Sequence, residues 1–563
     1  MMNCPDKNNL SDNQPYQIYE FKKTNQEKIP GYLVVSTAKL NVETEENRSI
    51  NYLSEVVNKN FFNINDGQAE SSTKEMIKKI AKTLQSSPEP EIIINIHGYS
   101  STPSDTETGC KKIYEYVNTH IQQPNKYIFI GYRWPAESPI KTDESGSFGQ
   151  KLINALYSLP ILLAINLVVG LTISIFSAIV LLFLDILSNS AVHFFTVLLI
   201  FSGIVSSIIF TLIILRISTY FRDNYRASNY GVTDLVELIR QLDFTVNLPP
   251  NKRIKLSFIS HSMGCFVVTD VIRILSDVFD AKSINKKPDS DIGKVFCLGR
   301  LVLVAPDIPV ETILPGRANF LRSSLRRCEE AYIFCNEGDL ALRFTSTAAN
   351  YFSFPARTRI SGYRLGNITV KHFNDKKDKV GHTPRYGVVN FQEEEYEKDY
   401  ILDNPYNYLE IRSSSSEHRK LEGRFEEITE ISPNEVKPAD LFTYFDCTDY
   451  KDDRSAQIGI VSSALQKPAI NFVNYIFLTL AFIRKSINNR DPQGVDTHTG
   501  YFQGTFSQKA IYELAFLGFQ GFLKSLSIEG DEKAQIRSFS QKCQEKQIQV
   551  ILAPQIYQQK TQD

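Results

Sequence analysis

The sequence lacks the features that mark several classes of protein. Its 62 basic and 63 acidic residues leave a formal net charge of −1, so no basic surface for nucleic acid is indicated. None of the eight cysteines forms a C-x-x-C pair and no H-x-x-x-H motif occurs, so neither a metal site nor a disulfide framework is expected, and no cofactor is implied. The first residues, MMNCPDKNNLSDNQ, have no apolar core, which argues against a cleaved signal peptide.

Charge is also missing from two long runs in mid-chain, and here the absence is informative. Residues 155–184 contain no charged side chain, and residues 191–215 contain no Asp, Glu, Lys or Arg. Each run exceeds the roughly 20 residues that cross a hydrocarbon core, and only a short turn separates them. The sequence therefore predicts a two-helix transmembrane hairpin within 151–220. The alternative is a buried core hairpin, which is disfavoured because soluble helices rarely stay apolar on every face.

The distribution of basic residues predicts how this hairpin is oriented. The turn carries no Lys or Arg, whereas basic residues flank the two runs on their outer sides: Lys141, Lys151, Arg216, Arg222 and Arg226. By the positive-inside rule both outer ends face the cytoplasm. We therefore expect a two-pass membrane protein, with the lipid bilayer as a partner and the rest of the chain on the cytoplasmic side. A later apolar segment, 469–483, is short for a span and is expected to lie at the interface.

Outside these runs, apolar strands alternate with amphipathic helices. Strands are predicted at 31–38, 91–100, 126–135, 253–260, 300–307, 331–339 and 441–449. Helices are predicted at 72–84, 108–121 and 232–242, the last with Thr233 as its N-cap. Near-continuous apolar strands alternating with helices indicate an α/β fold with a mostly parallel sheet covered on both faces.

The motif SHSMG lies between a predicted strand and a predicted helix. That context is typical of the nucleophile elbow, G-x-S-x-G, of serine hydrolases, and it makes Ser262 the candidate nucleophile. The sharp turn needs small residues two before and two after the serine, which here are Ser260 and Gly264. Ser260 is the weaker candidate nucleophile because the motif places a glycine two positions after its serine, and Gly264 lies further away than that from Ser260. The helix after Ser262 would direct the Met263 amide towards developing negative charge.

Candidate partners for Ser262 follow other strands. The loop His97-Gly98-Tyr99 ends an early strand, and the Tyr99 amide is the second candidate oxyanion donor. Trp134 lies in the motif GYRWP, just past the end of another predicted strand. It is expected either to line an acyl pocket or to fill a covered loop.

The acid and the base each have a favoured candidate and a rival. Asp339 ends the strand AYIFCNEGD, and Asp307 at the end of the preceding strand is its rival, more suited to organising a loop. His498 is the candidate base because it follows the last predicted strand in the order Ser, Asp, His. Its rivals, His382 and His372, precede that strand.

Several short motifs together resemble a known family. They are STAKLN, IHGYSS, GYRWP, SHSMG, LVAPDI, CNEGDLALRF, GYRLG, FDCTD and HTGYF, and they run from about residue 31 to 503. In this order they resemble the α/β-hydrolase superfamily, in particular an uncharacterised bacterial branch of predicted serine esterases and lipases. The resemblance implies a triad of Ser262, Asp339 and His498. The sequence departs from the pattern at Ser260, in the hairpin and in a long insertion.

The expected organisation is an α/β-hydrolase fold interrupted twice, by the hairpin and by a polar insertion between the last two strands. The segments are a polar N-terminal stretch 1–30, hydrolase parts 31–150 and 221–344, the hairpin 151–220, an insertion or cap 345–440, a region 441–527 with the last strand and catalytic histidine, and a polar tail 528–563. The expected function is a membrane-anchored serine hydrolase that cleaves carboxylic esters, with lipid or acyl substrates, through a Ser-His-Asp triad and an acyl-enzyme. The alternatives are a thioesterase or peptidase with the same triad, and a non-catalytic membrane scaffold; the oligomeric state is not indicated.

Overall fold

The computed structural model describes the chain in separated stretches. These are residues 15–22, 28–38, 57–58, 60–63, 73–121, 123, 125–136, 217–276, 291–313, 324–346, 363–370, 386–391, 405–412, 418–420, 437–452, 459, 461, 472–487 and 494–558. The apolar runs 155–184 and 191–215, together with His372 and His382, lie outside them. None of the helices within these stretches combines the length and the hydropathy that a membrane span requires.

The strands form one large sheet and one small sheet. In chain order they are β1 (Tyr16–Glu20), β2 (Gly31–Ser36), β3 (Glu91–Ile96), β4 (Tyr127–Arg133), β5 (Ile254–His261), β6 (Asp291–Ile292), β7 (Phe296–Val304), β8 (Glu330–Cys335), β9 (Thr369–Val370), β10 (Gly387–Val388), β11 (Leu409–Arg412), β12 (His418–Lys420), β13 (Thr443–Asp446) and β14 (Gln549–Ile551). The large sheet has the order β1-β2-β4-β3-β5-β7-β8-β13-β14-β10, with β6 beside β7, and the small sheet has the order β12-β11-β9. Along the order of the large sheet, from β2 through β4, β3, β5, β7 and β8 to β13, each strand is parallel to the next. This confirms the mostly parallel sheet.

The helices cover both faces of the large sheet. In chain order they are α1 (Thr73–Ser86), α2 (Pro103–His120), α3 (Val232–Thr245), α4 (Met263–Leu275), α5 (Phe472–Ile487), α6 (Thr505–Ser525), α7 (Glu532–Glu545) and α8 (Gln555–Gln558). Alternate residues of a strand point to opposite faces, so Ile92 and Ile94 join one core while Ile93 joins the other. The first core packs under α1, α3 and α4, and the second under α2, α6 and α7. This two-sided burial explains why the strands read as continuous apolar runs.

The parallel strands bring several loops to one edge of the sheet. The carboxyl ends of β3, β5, β7 and β8 are followed by His97, Ser262, Asp307 and Asp339, so these four residues share that edge. Ligands of open α/β sheets bind at the carboxyl ends of the strands. The edge is therefore where a functional site is expected.

Three features of the fold differ from the prediction, and the first is that β1 lies in the stretch 1–30, where no strand was expected. The helix expected to begin near 232 starts earlier, since residues 217–226 are helical and continue through a π-helical turn, Ala227–Gly231, into α3. Thr233 is consequently not an N-cap; its hydroxyl donates to the carbonyl of Asn229 at 2.7 Å. The segment after 528 contains α7 and β14, and β14 pairs antiparallel with β13. The sequence did not predict that strand because it is only three residues long.

Candidate active site

Ser262 occupies the turn between β5 and α4. Its backbone has φ 55° and ψ −124°, in the region that L-residues rarely adopt, and the residue is almost completely buried. Such a backbone conformation costs on the order of 1–3 kcal/mol and persists where the surrounding structure enforces it. A strained serine between a strand and a helix is the geometry of a nucleophile elbow.

Two glycines allow this turn to pack against the end of β3. A Cβ at Gly264 would lie 2.4 Å from the carbonyl oxygen of His97, and a Cβ at Gly98 would lie 2.8 Å from Cβ of Ser262. Neither site has room for a side chain. The glycines therefore bring the amide end of α4 and the loop after β3 close to the Ser262 side chain.

Ser260 has a different environment from Ser262. It is fully buried at the end of β5, and its Oγ lies 3.4 Å from the carbonyl oxygen of Val302 and 3.3 Å from Sγ of Cys265. These contacts hold Ser260 beneath the turn, where a small residue is needed. Its place agrees with the prediction that it substitutes for the glycine of the motif.

Asp339 and His498 are joined across 159 positions of sequence. Oδ2 of Asp339 lies 2.7 Å from Nδ1 of His498, and its Oδ1 accepts from the amide of Leu342 at 3.0 Å. Because the carboxylate accepts at Nδ1, the neutral imidazole carries its proton there and leaves the Nε2 lone pair available as a base. Burial opposes protonation of the ring, but the Asp339 charge and hydrogen bond outweigh it and raise the pKa of His498 above its usual 6.5.

The two groups that would exchange a proton are both buried. Among the described residues, neither Oγ of Ser262 nor Nε2 of His498 has a hydrogen-bond partner. The ring centre of His261 lies 4.7 Å from that of His498, and its Nε2 contacts the His498 carbonyl oxygen at 3.0 Å. Since His261 precedes Ser262, this contact brings the histidine loop against the elbow.

The loop after β3 is fixed by an aromatic stack. The rings of His97 and Trp134 stack at 5.1 Å and 5°, and the indole Nε1 donates to the carbonyl of His97 at 2.9 Å. The His97 ring nitrogens contact the carbonyl oxygens of Gly98 at 2.8 Å and Trp134 at 3.2 Å. Burial lowers the pKa of His97 to about 4, so its ring stays neutral. Trp134 is only 1% exposed, which favours the covered-loop role over a lining of the acyl pocket.

Asp307, the rival acid, has other partners. Its Oδ1 lies 3.0 Å from Nε of Arg364 and 3.5 Å from the hydroxyl of Tyr220, while its amide donates to the carbonyl of Ser262 at 3.1 Å. The hydrogen bond with His498 is made by Asp339 and not by Asp307. Asp307 thus joins the loop after β7 to Arg364 and to the Ser262 turn.

Two residues that sequence reasoning missed bond to the loops that carry the candidate acid and base. Nδ2 of Asn367 lies 3.2–3.4 Å from the carbonyl oxygens of Asn336, Glu337 and Asp339. Oδ1 of Asp496 accepts from the amides of His498 at 3.1 Å and Thr499 at 2.8 Å. The only signal in the sequence was the pattern D-T-H-T around His498, in which the aspartate can cap a tight turn.

Nowhere in the described stretches do three or more His, Cys, Asp or Glu side chains gather in an arrangement suited to a metal ion.

Comparison with known proteins gives a match to part of the chain. Residues 181–399 match a family model described as an alpha/beta hydrolase of unknown function (DUF900). The matched stretch includes Ser262 and Asp339 and ends before His498. No curated protein and no solved structure matches the chain significantly. The family match and the mostly parallel sheet together support the α/β-hydrolase fold for this chain, with hydrolysis as the plausible activity.

Proposed function

We propose that the protein is a serine hydrolase that cleaves carboxylic esters through Ser262, His498 and Asp339. The observation that carries this proposal is the 2.7 Å contact between His498 Nδ1 and Asp339, on a loop that His261 joins to the turn of Ser262. Ser262 has the φ of 55° with which the turn of a nucleophile elbow presents its serine. A candidate nucleophile, base and acid at one edge of the sheet weigh against a non-catalytic scaffold.

The proposed reaction runs in two halves. Oγ of Ser262 attacks the ester carbonyl, and its proton passes to Nε2 of His498 while Asp339 stabilises the charged ring. The oxyanion receives hydrogen bonds from the amides of Met263 and Tyr99. His498 then gives its proton to the departing alcohol, leaving an acyl group on Ser262. A water molecule, deprotonated by His498, releases the acid and restores the serine.

Two observations support a substrate at a membrane surface. Elements at the catalytic edge carry exposed apolar side chains: Phe221 and Tyr225 on helical residues 217–226, and Phe477 and Leu480 on α5. Exposed apolar side chains grouped at one edge are typical of membrane or partner contacts. The apolar runs 155–184 and 191–215 lead directly into 217–226 in the sequence. We therefore propose a two-pass anchor, with the hydrolase on the cytoplasmic side and lipid or acyl esters as substrates.

Hydrolysis of p-nitrophenyl esters by the detergent-purified full chain tests the proposal. We expect turnover by the wild type, loss of turnover in Ser262→Ala, and retention in the matched control Ser260→Ala. Thioesters and peptide p-nitroanilides measured beside the esters separate the thioesterase and peptidase alternatives, which use the same triad. Absence of turnover on all three substrate classes would favour the scaffold.

A further inference from the structure

The loop that carries the proposed oxyanion donor Tyr99 is held on both sides of that residue. Before Tyr99, the carbonyl of Gly98 accepts from the hydroxyl of Ser101 at 3.1 Å and contacts the ring of His97. After Tyr99, the amide of Ser100 donates to Oδ2 of Asp223 at 2.9 Å. The Gly98 carbonyl and the Tyr99 amide belong to one planar peptide group, and the Ser100 amide belongs to the next. The direction of the Tyr99 amide therefore depends on the bonds to Gly98 and on the bond that holds the adjoining peptide group at Ser100.

The bond from Ser100 to Asp223 is the anchor that comes from a distant part of the chain. Ser100 has φ 56°, a conformation that L-residues rarely adopt, so the loop needs an interaction that holds it there. Asp223 is fully buried on helical residues 217–226, which are 123 positions away in the sequence. A carboxylate that accepts from a backbone amide makes a shorter and stronger hydrogen bond than a neutral acceptor.

The charge of Asp223 is itself balanced within the same helical segment. Its Oδ1 lies 3.8 Å from Nη1 of Arg226 and 3.5 Å from Nε of Arg222. One oxygen therefore faces the arginines while the other faces the loop. The ring of Tyr220 lies on the same side of the segment and meets the ring of Tyr99 edge-on at 5.9 Å. The segment thus contacts both Tyr99 and Ser100.

We infer that Asp223 is a positioning residue that fixes the direction of the Tyr99 amide in the oxyanion hole. This inference rests on the serine hydrolase function proposed above. An oxyanion donor acts in the transition state and must be oriented before the reaction begins. Loss of Asp223 would therefore reduce turnover and transition-state affinity while leaving ground-state substrate binding intact.

The test compares Asp223→Ala and Asp223→Asn in the full-length, detergent-purified chain. The asparagine keeps an oxygen acceptor and the side-chain size but lacks the charge, so it preserves folding if the alanine variant does not. Asp234→Asn is the matched control, because Asp234 is a buried aspartate of the adjoining α3 whose carboxylate accepts from the Ser36 hydroxyl. Four quantities are measured: kcat and KM on a soluble ester, the inhibition constant of an alkyl boronic acid, and deuterium uptake at the Ser100 amide.

We expect Asp223→Ala to lower kcat by about tenfold to a hundredfold, the loss that misplacement by about 1 Å can cause. KM should stay within about twofold, because the interaction lost belongs to the transition state. Boronate affinity should fall in parallel with kcat, and uptake at Ser100 should accelerate. Asp223→Asn should show the same pattern with smaller changes, and Asp234→Asn should match the wild type.

Unchanged kcat and boronate affinity in both Asp223 variants would overturn the inference while leaving the proposed function standing. Faster exchange at Ser100 with unchanged kcat would also overturn it, since Asp223 would then hold the loop without serving catalysis. An equal loss in Asp234→Asn would show that the effect is general destabilisation. A wild type without turnover would overturn both this inference and the proposed function.

Discussion

Replacing Asp339 with asparagine keeps the size of the side chain but removes the charge that faces His498. Asp339 is fully buried, and its Oδ2 lies 2.7 Å from Nδ1 of the ring. An amide nitrogen placed there would donate to Nδ1 and force the ring proton onto Nε2, which could then no longer accept the serine proton. An amide oxygen would keep the proton on Nδ1 but would not stabilise the charged ring. We therefore expect kcat to fall by about 10³–10⁴-fold.

The pH profile of the same variant carries independent information. Asp339 raises the pKa of His498, and only the neutral ring acts as a base. In the wild type, kcat/KM should therefore rise with pH through a midpoint above the ordinary histidine value of 6.5. With the Asp339 charge removed, burial remains and lowers the pKa, so the residual activity should rise at a lower pH. A midpoint that stays in place would contradict this assignment of the acid.

Steady-state hydrolysis of a soluble p-nitrophenyl ester, measured from pH 5 to 9, provides both quantities. Asp307→Asn is the matched control, because Asp307 follows the neighbouring strand but pairs with Arg364. We expect a smaller loss in that variant than in Asp339→Asn. A larger loss in Asp307→Asn, or an Asp339→Asn enzyme within about tenfold of the wild type, would refute the assignment.

Two further predictions concern the turn at Ser262 and the exposed apolar side chains of α5. Gly264→Ala should lower the free energy of unfolding by about 1–3 kcal/mol, because its Cβ would lie 2.4 Å from the His97 carbonyl oxygen. Urea unfolding measures this against Gly109→Ala, whose Cβ would meet nothing within 4 Å and which should be neutral or stabilising. Replacing both Phe477 and Leu480, which are 59% and 49% exposed, with aspartate should slow hydrolysis of a long-chain ester in anionic vesicles but not of a short soluble ester. Equal losses on the two substrates would contradict an interfacial role.

The candidate nucleophile could be predicted because its position depends on a local sequence pattern. Ser262 could be placed because an apolar strand, a small-residue turn and an amphipathic helix follow one another within a few residues. The pairing of Asp339 with His498 was expected from chain order and from the resemblance. The structure brings these two together, although 159 positions separate them.

Contacts that depend on tertiary packing could not be predicted in this way. Asp223 lies just after an apolar run, where a charged residue reads as a membrane flank, and only the fold brings it to Ser100. The early start of the helix before α3 was missed because Arg222 and Arg226 were interpreted as the basic flank of the predicted hairpin. Asn367 lies in a polar stretch without clear period, and nothing local indicates that its amide faces the Asp339 loop. β14 is too short to give a strand pattern.

Labelling of the detergent-purified chain with a fluorophosphonate, followed by mass spectrometric location of the adduct, tests the nucleophile itself. The probe reacts with activated serines whatever their natural ester, so the unknown substrate does not limit the experiment. We predict one adduct, on Ser262, that is absent in Ser262→Ala and slow to form in Asp339→Asn. An unlabelled wild type, or an adduct that persists in Ser262→Ala, would contradict the proposed triad.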